Sequence, residues 1–267
     1  MVKARRRKKQ PVTTTATSGA KPKSSRTVIR KFHVLLKQKH QLEHKQSDGK
    51  TLADIDLQID QLGGLESYQR MSAIGQGSDR GGGSERVAIP WLKEVHASSR
   101  RMLNLLEVGA LKPDNYAACS SWLTNFPIDL HSRHPSILEQ DFLLMDAKEH
   151  CERWDAISLS LVLNFVPDAK DRGRMLRLAE QFLVPGGYLF VALPFPCVSN
   201  SRYLTCERLK ALMAAVGFVQ VKERFKERGK MIYTLYQKNP VSGVSLEPFT
   251  KKPVLRQGDR NNFTILL

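Results

Sequence analysis

The sequence predicts an α/β fold: a mainly parallel sheet with helices on both faces, preceded by a helical N-terminal extension. Three observations carry this. From about residue 102 onward, short apolar β-type runs alternate with amphipathic helical pieces, the pattern of strands buried on both faces. The apolar run Leu103-Asn104-Leu105-Leu106-Glu107-Val108 stops at Gly109, and a second run, Phe126-Pro127-Ile128, stops at Asp129. Further on, Leu183-Val184-Pro185-Gly186-Gly187-Tyr188-Leu189-Phe190-Val191 reads as a helix end, a tight turn and another buried strand.

The predicted strands are 102–108, 124–130, 137–140, 154–161, 188–193, 219–225 and 231–237. Helices are predicted at 116–121, 171–182 and 205–216. The last two strands flank Lys226-Glu227-Arg228-Gly229-Lys230 and should form an antiparallel hairpin. This places a Rossmann-like domain at 101–238 and an irregular C-terminal tail at 239–267.

Upstream, residues 1–27 are Lys, Arg, Thr, Ser, Pro and Ala with almost no large apolar side chain, a composition that cannot offset its ordering entropy. Residues 28–100 form the helical extension. Val28, Ile29, Phe32, Leu35, Leu36 and Leu42 recur at a helical period, as do Leu52, Ile55, Leu57, Ile59 and Leu62 before the stop at Gly63-Gly64. The first of these helices, with Lys31, Lys37 and Lys39 around it, suits either RNA or the domain surface. The stretch from Tyr68 to Gly83 is polar and glycine-rich and is expected to be a loop, either a linker or a lid. A third helix is expected at 87–101, around Ile89, Trp91, Leu92 and Val95.

Charge is unevenly distributed. The chain is +16 overall with 41% hydrophobic residues, yet residues 1–50 hold fifteen Lys and Arg against Glu43 and Asp48, a net +13. A near-neutral body therefore carries a basic arm. Such an arm attracts polyphosphate by counterion release, and Arg5-Arg6-Arg7-Lys8-Lys9 reads as a nuclear-localisation or RNA-contact cluster. No apolar run approaches the ~18 residues of a membrane span, and the N-terminus lacks the apolar core of a secretory signal. Cys119, Cys151, Cys197 and Cys206 show no C-x-x-C spacing and sit among apolar residues, so buried reduced thiols are expected and no metal site.

The chemistry gathers at the strand ends. Ligands of doubly wound sheets bind beyond the carboxyl ends of the strands, where the winding reverses. Gly109 would let a cofactor approach the backbone, and Asp129 is placed to accept from two ribose hydroxyls, donors that suit a carboxylate. Ala110, Leu111 and Pro113 stand where a dinucleotide fingerprint has more glycines. That favours a cofactor without phosphates to cradle, S-adenosylmethionine. After the third strand, Asp141 and Phe142 would bind the adenine amino group and stack on the ring; a loop-capping Asp fits the same letters. After the fourth, Ser160-Leu161-Val162-Leu163-Asn164-Phe165-Val166-Pro167 runs out where donor and acceptor meet in methyltransferases of this fold. Asn164, Phe165 and the Asn200-Ser201-Arg202-Tyr203 loop are the candidates for holding a base, although a turn asparagine before a helix would explain Asn164 equally.

Together with Leu65-Glu66-Ser67-Tyr68-Gln69, Gly75-Gln76, Arg80-Gly81-Gly82, Arg172-Gly173, Met175-Leu176 and Leu193-Pro194-Phe195-Pro196-Cys197-Val198-Ser199-Asn200-Ser201-Arg202-Tyr203, these strings resemble the fungal 25S ribosomal RNA adenine-N1 methyltransferases from about Ile55 to Lys238. The resemblance implies a Rossmann-like class I S-adenosylmethionine-dependent methyltransferase sheet and cofactor contacts at Gly109 and Asp129. It implies a large-subunit rRNA or pre-ribosome partner and residence in the nucleolus of the nucleus. Animal relatives of that family look like S-adenosylmethionine sensors of a nutrient-signalling complex, so the alternative is a cofactor-binding regulator without catalysis.

Overall fold

The computed structural model describes residues 25–43, 49–75, 83–227, 229–239 and 245–267. The Arg5–Lys9 cluster and residues 76–82, with Arg80, lie outside the described residues. So does most of the basic arm.

Seven strands form one sheet: β1 (Leu103–Val108), β2 (Leu123–Asp129), β3 (Leu138–Glu139), β4 (Trp154–Ser160), β5 (Leu183–Pro194), β6 (Phe218–Phe225) and β7 (Met231–Lys238), in the order β3-β2-β1-β4-β5-β7-β6. The first five are parallel. β7 runs antiparallel between β5 and β6, as the hairpin expectation required. The winding reverses between β1 and β4.

Alternation along each strand divides the core. Leu103 and Leu105 of β1, Ala156 of β4 and Phe190 and Ala192 of β5 face α4 (Glu85–His96), which inserts Val87, Ala88 and Leu92. Leu106, Val108, Ile157, Leu159, Leu189 and Val191 face α5 (Ala169–Phe182) and α7 (Cys206–Val216). Each such fully buried aliphatic side chain contributes about 1.5–3 kcal/mol of transfer free energy. Asp168 caps α5 by accepting from the Lys170 and Asp171 amides, and Thr205 caps α7 through the Arg208 amide. A short helix, α6 (Pro196–Ser199), follows β5.

Three helices stand upstream: α1 (Ser25–Glu43), α2 (Gly49–Gln61) and α3 (Gly64–Gly75). Leu35, Ile55 and Leu62 form their small core, and the Phe32 ring stacks on Tyr68 at 4.8 Å. α1 therefore docks by its apolar face.

Several local expectations are corrected. The stretch from Tyr68 is helical as far as Gly75. Gly63 and Gly64, at φ +87° and +60°, stop one helix and let another start at once. The helix expected at 116–121 is a single 3-10 turn, Ala117–Cys119, because the chain is drawn directly into β2 by the Leu103 amide donating to the Trp122 carbonyl. β3 has only two residues. Cys151 is exposed, whereas Cys119 and Cys197 are buried.

The C-terminal residues, irregular apart from the turn Glu247–Phe249, are packed: Phe263, Thr264, Ile265 and Leu266 are buried against α5. A Cβ on Gly173 would meet the Leu266 carbonyl oxygen at 1.8 Å, so only glycine lets this segment lie on the helix.

Candidate active site at the β1–β4 switch point

β1 ends in a buried carboxylate. Glu107 accepts from the side-chain amides of Asn115 (2.6 Å) and Asn125 (2.7 Å). Burial pushes its pKa up; the two amides pull it back, while Glu85 and Asp114 push further. Gly109 follows at φ +75°. Its Cβ would lie 2.9 Å from Val162 Cγ2, so the glycine answers both a left-handed backbone and the close approach of the loop leaving β4. Ser84, Glu85, Glu107, Gly109, Asn115, Tyr116, Ser158 and Ser160 line a narrow polar cavity there. Two of its lining residues, Ser84 and Ser160, are joined by a hydrogen bond between their hydroxyls.

Asp129 ends β2 on the neighbouring strand. Its carboxylate accepts from the His131 amide at 2.9 Å and from Gln69 Nε2 at 3.4 Å. Burial raises its pKa, against the lowering effects of the His131 amide and ring. Gln69 Nε2 also donates to the His131 carbonyl at 2.9 Å, which seats α3 over the strand ends. Its Oε1 is buried without a hydrogen-bond partner among the described residues.

The loop after β4 begins at Leu161, which adopts φ +58° and so stores backbone strain at the point where the chain leaves the sheet. Asn164 is buried, and its Oδ1 has no hydrogen-bond partner among the described residues. A buried acceptor left unpaired is costly, and such atoms mark places where a ligand completes the set. The Phe165 ring meets Tyr68 edge to face at 5.0 Å. Gly109, Asp129, Asn164 and Phe165 are thus drawn to one edge of the sheet, roofed by α3.

The third element is divided. The Gln140 amide donates to the Asp129 carbonyl at 2.9 Å, which brings the β3 exit beside Asp129. Asp141 caps the following turn by accepting from the Leu143 amide at 2.8 Å. Phe142, expected to stack on a base, lies in the core edge-on to Phe182 at 5.6 Å, its ring covered by protein.

Reasoning from sequence offered the stretch from Tyr68 as a possible lid but took it for a loop, so Tyr68 and Gln69 were not singled out on the helix that seats them over the strand ends. It also missed Arg172. That guanidinium is buried at 3% exposure and donates to three carbonyls: Val166 (2.8 Å), Pro167 (2.9 Å) and Thr264 (2.5 Å). It also lies 4.6 Å from the centre of the Phe263 ring. Arg172 therefore ties the loop carrying Asn164 and Phe165 to the C-terminal segment.

The residues fit S-adenosylmethionine. A glycine cradle, a carboxylate on each of the first two strands and a polar cavity suit a ligand with vicinal hydroxyls and an amino-acid end, and no phosphate-binding loop is present among the described residues. Residues 53–265 match the family described as Bmt2, 25S rRNA (adenine(2142)-N(1))-methyltransferase. The chain belongs to this family. The expectation drawn from the residue strings holds, as does the Rossmann-like methyltransferase sheet.

Among family relatives, the Schizosaccharomyces pombe 25S rRNA adenine-N(1) methyltransferase is 32% identical over 259 residues, covering 92% of each chain. The Saccharomyces cerevisiae 25S rRNA (adenine(2142)-N(1))-methyltransferase is 34% identical over 215 residues, covering 79% of this chain and 62% of that one. Among solved structures, an S-adenosylmethionine-dependent methyltransferase from Clostridium acetobutylicum superposes at a TM-score of 0.49 with 10% identity, covering 64% of this chain and 99% of that one.

Proposed function

We propose that this chain transfers the methyl group of S-adenosylmethionine to N1 of an adenine in 25S rRNA, acting on pre-ribosomal particles in the nucleolus. The supporting observation is the family match over residues 53–265, a range that contains the whole strand-end cluster from Gln69 to Arg172. The basic N-terminal arm agrees with an RNA substrate and a nuclear address.

Bound S-adenosylmethionine supplies a methyl group on a positively charged sulfur. Adenine N1 holds an in-plane lone pair at neutral pH, so the protein needs neither a nucleophile nor a general base. Its contribution is alignment and exclusion of water. Asp129 would hold the cofactor by accepting from the ribose hydroxyls, and Gly109 would leave room for it at the end of β1. Glu107, clamped by Asn115 and Asn125, gives the cavity a fixed negative end.

The base must leave any stack, because N1 lies on its Watson–Crick edge. The free Oδ1 of Asn164 accepts from the exocyclic amino group, and Phe165 offers a ring face, a contact of about 1–3 kcal/mol per base. Tyr68 now covers that ring edge-on, so α3 yields as the base enters.

Incubating the purified chain with S-adenosylmethionine and unmethylated 25S rRNA or precursor particles, then digesting to nucleosides for mass spectrometry, tests this. One 1-methyladenine per large-subunit rRNA is expected. Tight cofactor binding with no 1-methyladenine from either substrate would instead establish a sensor.

A further inference from the structure

Positive charge gathers toward the C-terminal end of the chain: residues 25–195 carry twenty-one basic and twenty-one acidic side chains, whereas residues 196–267 carry thirteen basic and five acidic ones. The topology carries much of this positive charge to the sheet edge where the candidate site opens.

β5 runs parallel to β1 and β4, so Pro194 lies at the same edge as Gly109. The register Pro194 to Met231 and Phe225 to Ile232 puts the β6–β7 turn at that edge too. The Phe195 amide donates to the Lys230 carbonyl at 2.8 Å, and the Phe195 ring stacks on Phe225 at 5.1 Å. Arg224, Lys226 and Lys230 are all exposed there.

On the other side of Phe195, residues 196–203 are clasped by the C-terminal segment. Arg202 donates to Asn262 Oδ1 (2.7 Å) and the Gly258 carbonyl (3.1 Å). Arg260 donates to the Gln257 carbonyl (2.8 Å) and Asn200 Oδ1 (3.2 Å). Arg256 donates to the carbonyls of Val198 and Ser199, each at 2.8 Å. These guanidinium planes are held by neutral oxygens. Among the described residues, Arg202, Arg260, Lys226 and Lys230 form no ion pair with a carboxylate. Glu207 feels the charge of Arg256, which helps hold its carboxyl low after the larger effect of the Thr205 hydroxyl.

We propose that this rim, from Lys226 and Lys230 across Phe195 to Arg202, Arg256 and Arg260, is the surface on which the folded domain grips the RNA phosphate backbone beside the target base. The proposal rests on the rRNA reading above. Planar guanidinium groups already fixed by hydrogen bonds lose little freedom on meeting a phosphate, and their remaining N–H donors match its oxygens. Positive charge at the rim of the site draws a polyanion to that edge.

The test is fluorescence anisotropy of the full chain on a 25S rRNA fragment from about 50 to 300 mM KCl. The variants are Arg202→Gln with Arg260→Gln, Lys226→Gln with Lys230→Gln, and, as a control outside the rim, Lys148→Gln with Lys170→Gln. Each phosphate contact contributes about 0.7–0.9 to the slope of log affinity against log salt. Each rim pair should lower that slope by up to about 1.4–1.8 and weaken binding about tenfold at physiological salt. S-adenosylhomocysteine affinity should stay constant by calorimetry, and the control pair should leave the slope unchanged. The proposal is overturned if the rim pairs behave like the control, or if the salt dependence disappears only on deleting residues 1–24. A wild-type chain that binds no RNA would defeat the rRNA reading itself.

Discussion

Replacing Arg172 with Met would unfasten the loop that carries Asn164 and Phe165 from the C-terminal segment. Methionine keeps most of the volume and loses every donor, so the buried Thr264 carbonyl and the half-buried carbonyls of Val166 and Pro167 lose their partner. Each unsatisfied carbonyl costs about 1–3 kcal/mol, and the lost contact with Phe263 about 1 kcal/mol. Against this stands the desolvation now borne by the guanidinium. Burial pulls its pKa down to about 10, and relieving that returns roughly 3 kcal/mol.

The net expectation is a loss of about 2–5 kcal/mol, or roughly 5–15 °C in Tm for a domain of this size. Urea unfolding followed by circular dichroism measures it, and Arg172→Lys should fall between wild type and Met because one ammonium reaches fewer carbonyls. The loop, not the cofactor site, takes the damage. S-adenosylhomocysteine affinity should change less than about threefold, while methyl transfer falls by about 100-fold, the size of effect expected from misplacing a reacting group. A stability loss below about 1 kcal/mol, or equal losses in cofactor binding and transfer, would refute this account of the brace.

Three further outcomes follow from the strand-end geometry. Asp129→Asn should weaken S-adenosylhomocysteine by about 10- to 100-fold, the value of charge-assisted hydrogen bonds to the ribose, as read by calorimetry. Because burial raises the Asp129 pKa, wild-type cofactor affinity should fall on acidification at a higher pH than an ordinary aspartate would give, and the variant should lose that dependence. Gly109→Ala forces a left-handed alanine and a Cβ 2.9 Å from Val162, a cost of about 1–3 kcal/mol visible as a lower urea midpoint together with weaker cofactor binding. Glu107 holds its proton more tightly folded than unfolded, so its contribution favours the folded state on acidification and is lost as pH rises from the ordinary carboxylate range through its raised pKa. The stability difference between wild type and Glu107→Gln should therefore vary with pH across that interval, and a flat difference would argue against a strained carboxylate.

The sheet was legible because its central strands β1, β4 and β5 are nearly continuous apolar runs and the ends of β1 and β2 carry Gly109 and Asp129. The expected helix end and turn over 183–187 proved instead to be the irregular start of β5, which follows α5 at once. Glycine at φ +75° and an aspartate at the neighbouring strand end are local requirements, so single letters reveal them. Other parts depend on contacts made across long stretches of chain. Tyr68 and Gln69 look like loop residues until Gly63 and Gly64 are seen to start a new helix, and only the fold shows Gln69 reaching Asp129 sixty residues away. Phe142 and a stacking phenylalanine have the same letter, and what separates them is Phe182, which fills the space beside the ring. The C-terminal segment has no period to read because it is neither helix nor strand. Its place is fixed by Arg172, by Gly173 and by the Ser201 hydroxyl donating to the Phe263 carbonyl.

The most direct test of the central claim is a map of 1-methyladenine across 25S rRNA in cells that lack this protein, complemented with either the wild-type chain or Asp129→Ala. The account predicts one 1-methyladenine signal, present with the wild type and absent with both the empty control and the variant, at equal protein levels. A signal restored equally by Asp129→Ala, or unchanged when the protein is missing, would contradict it.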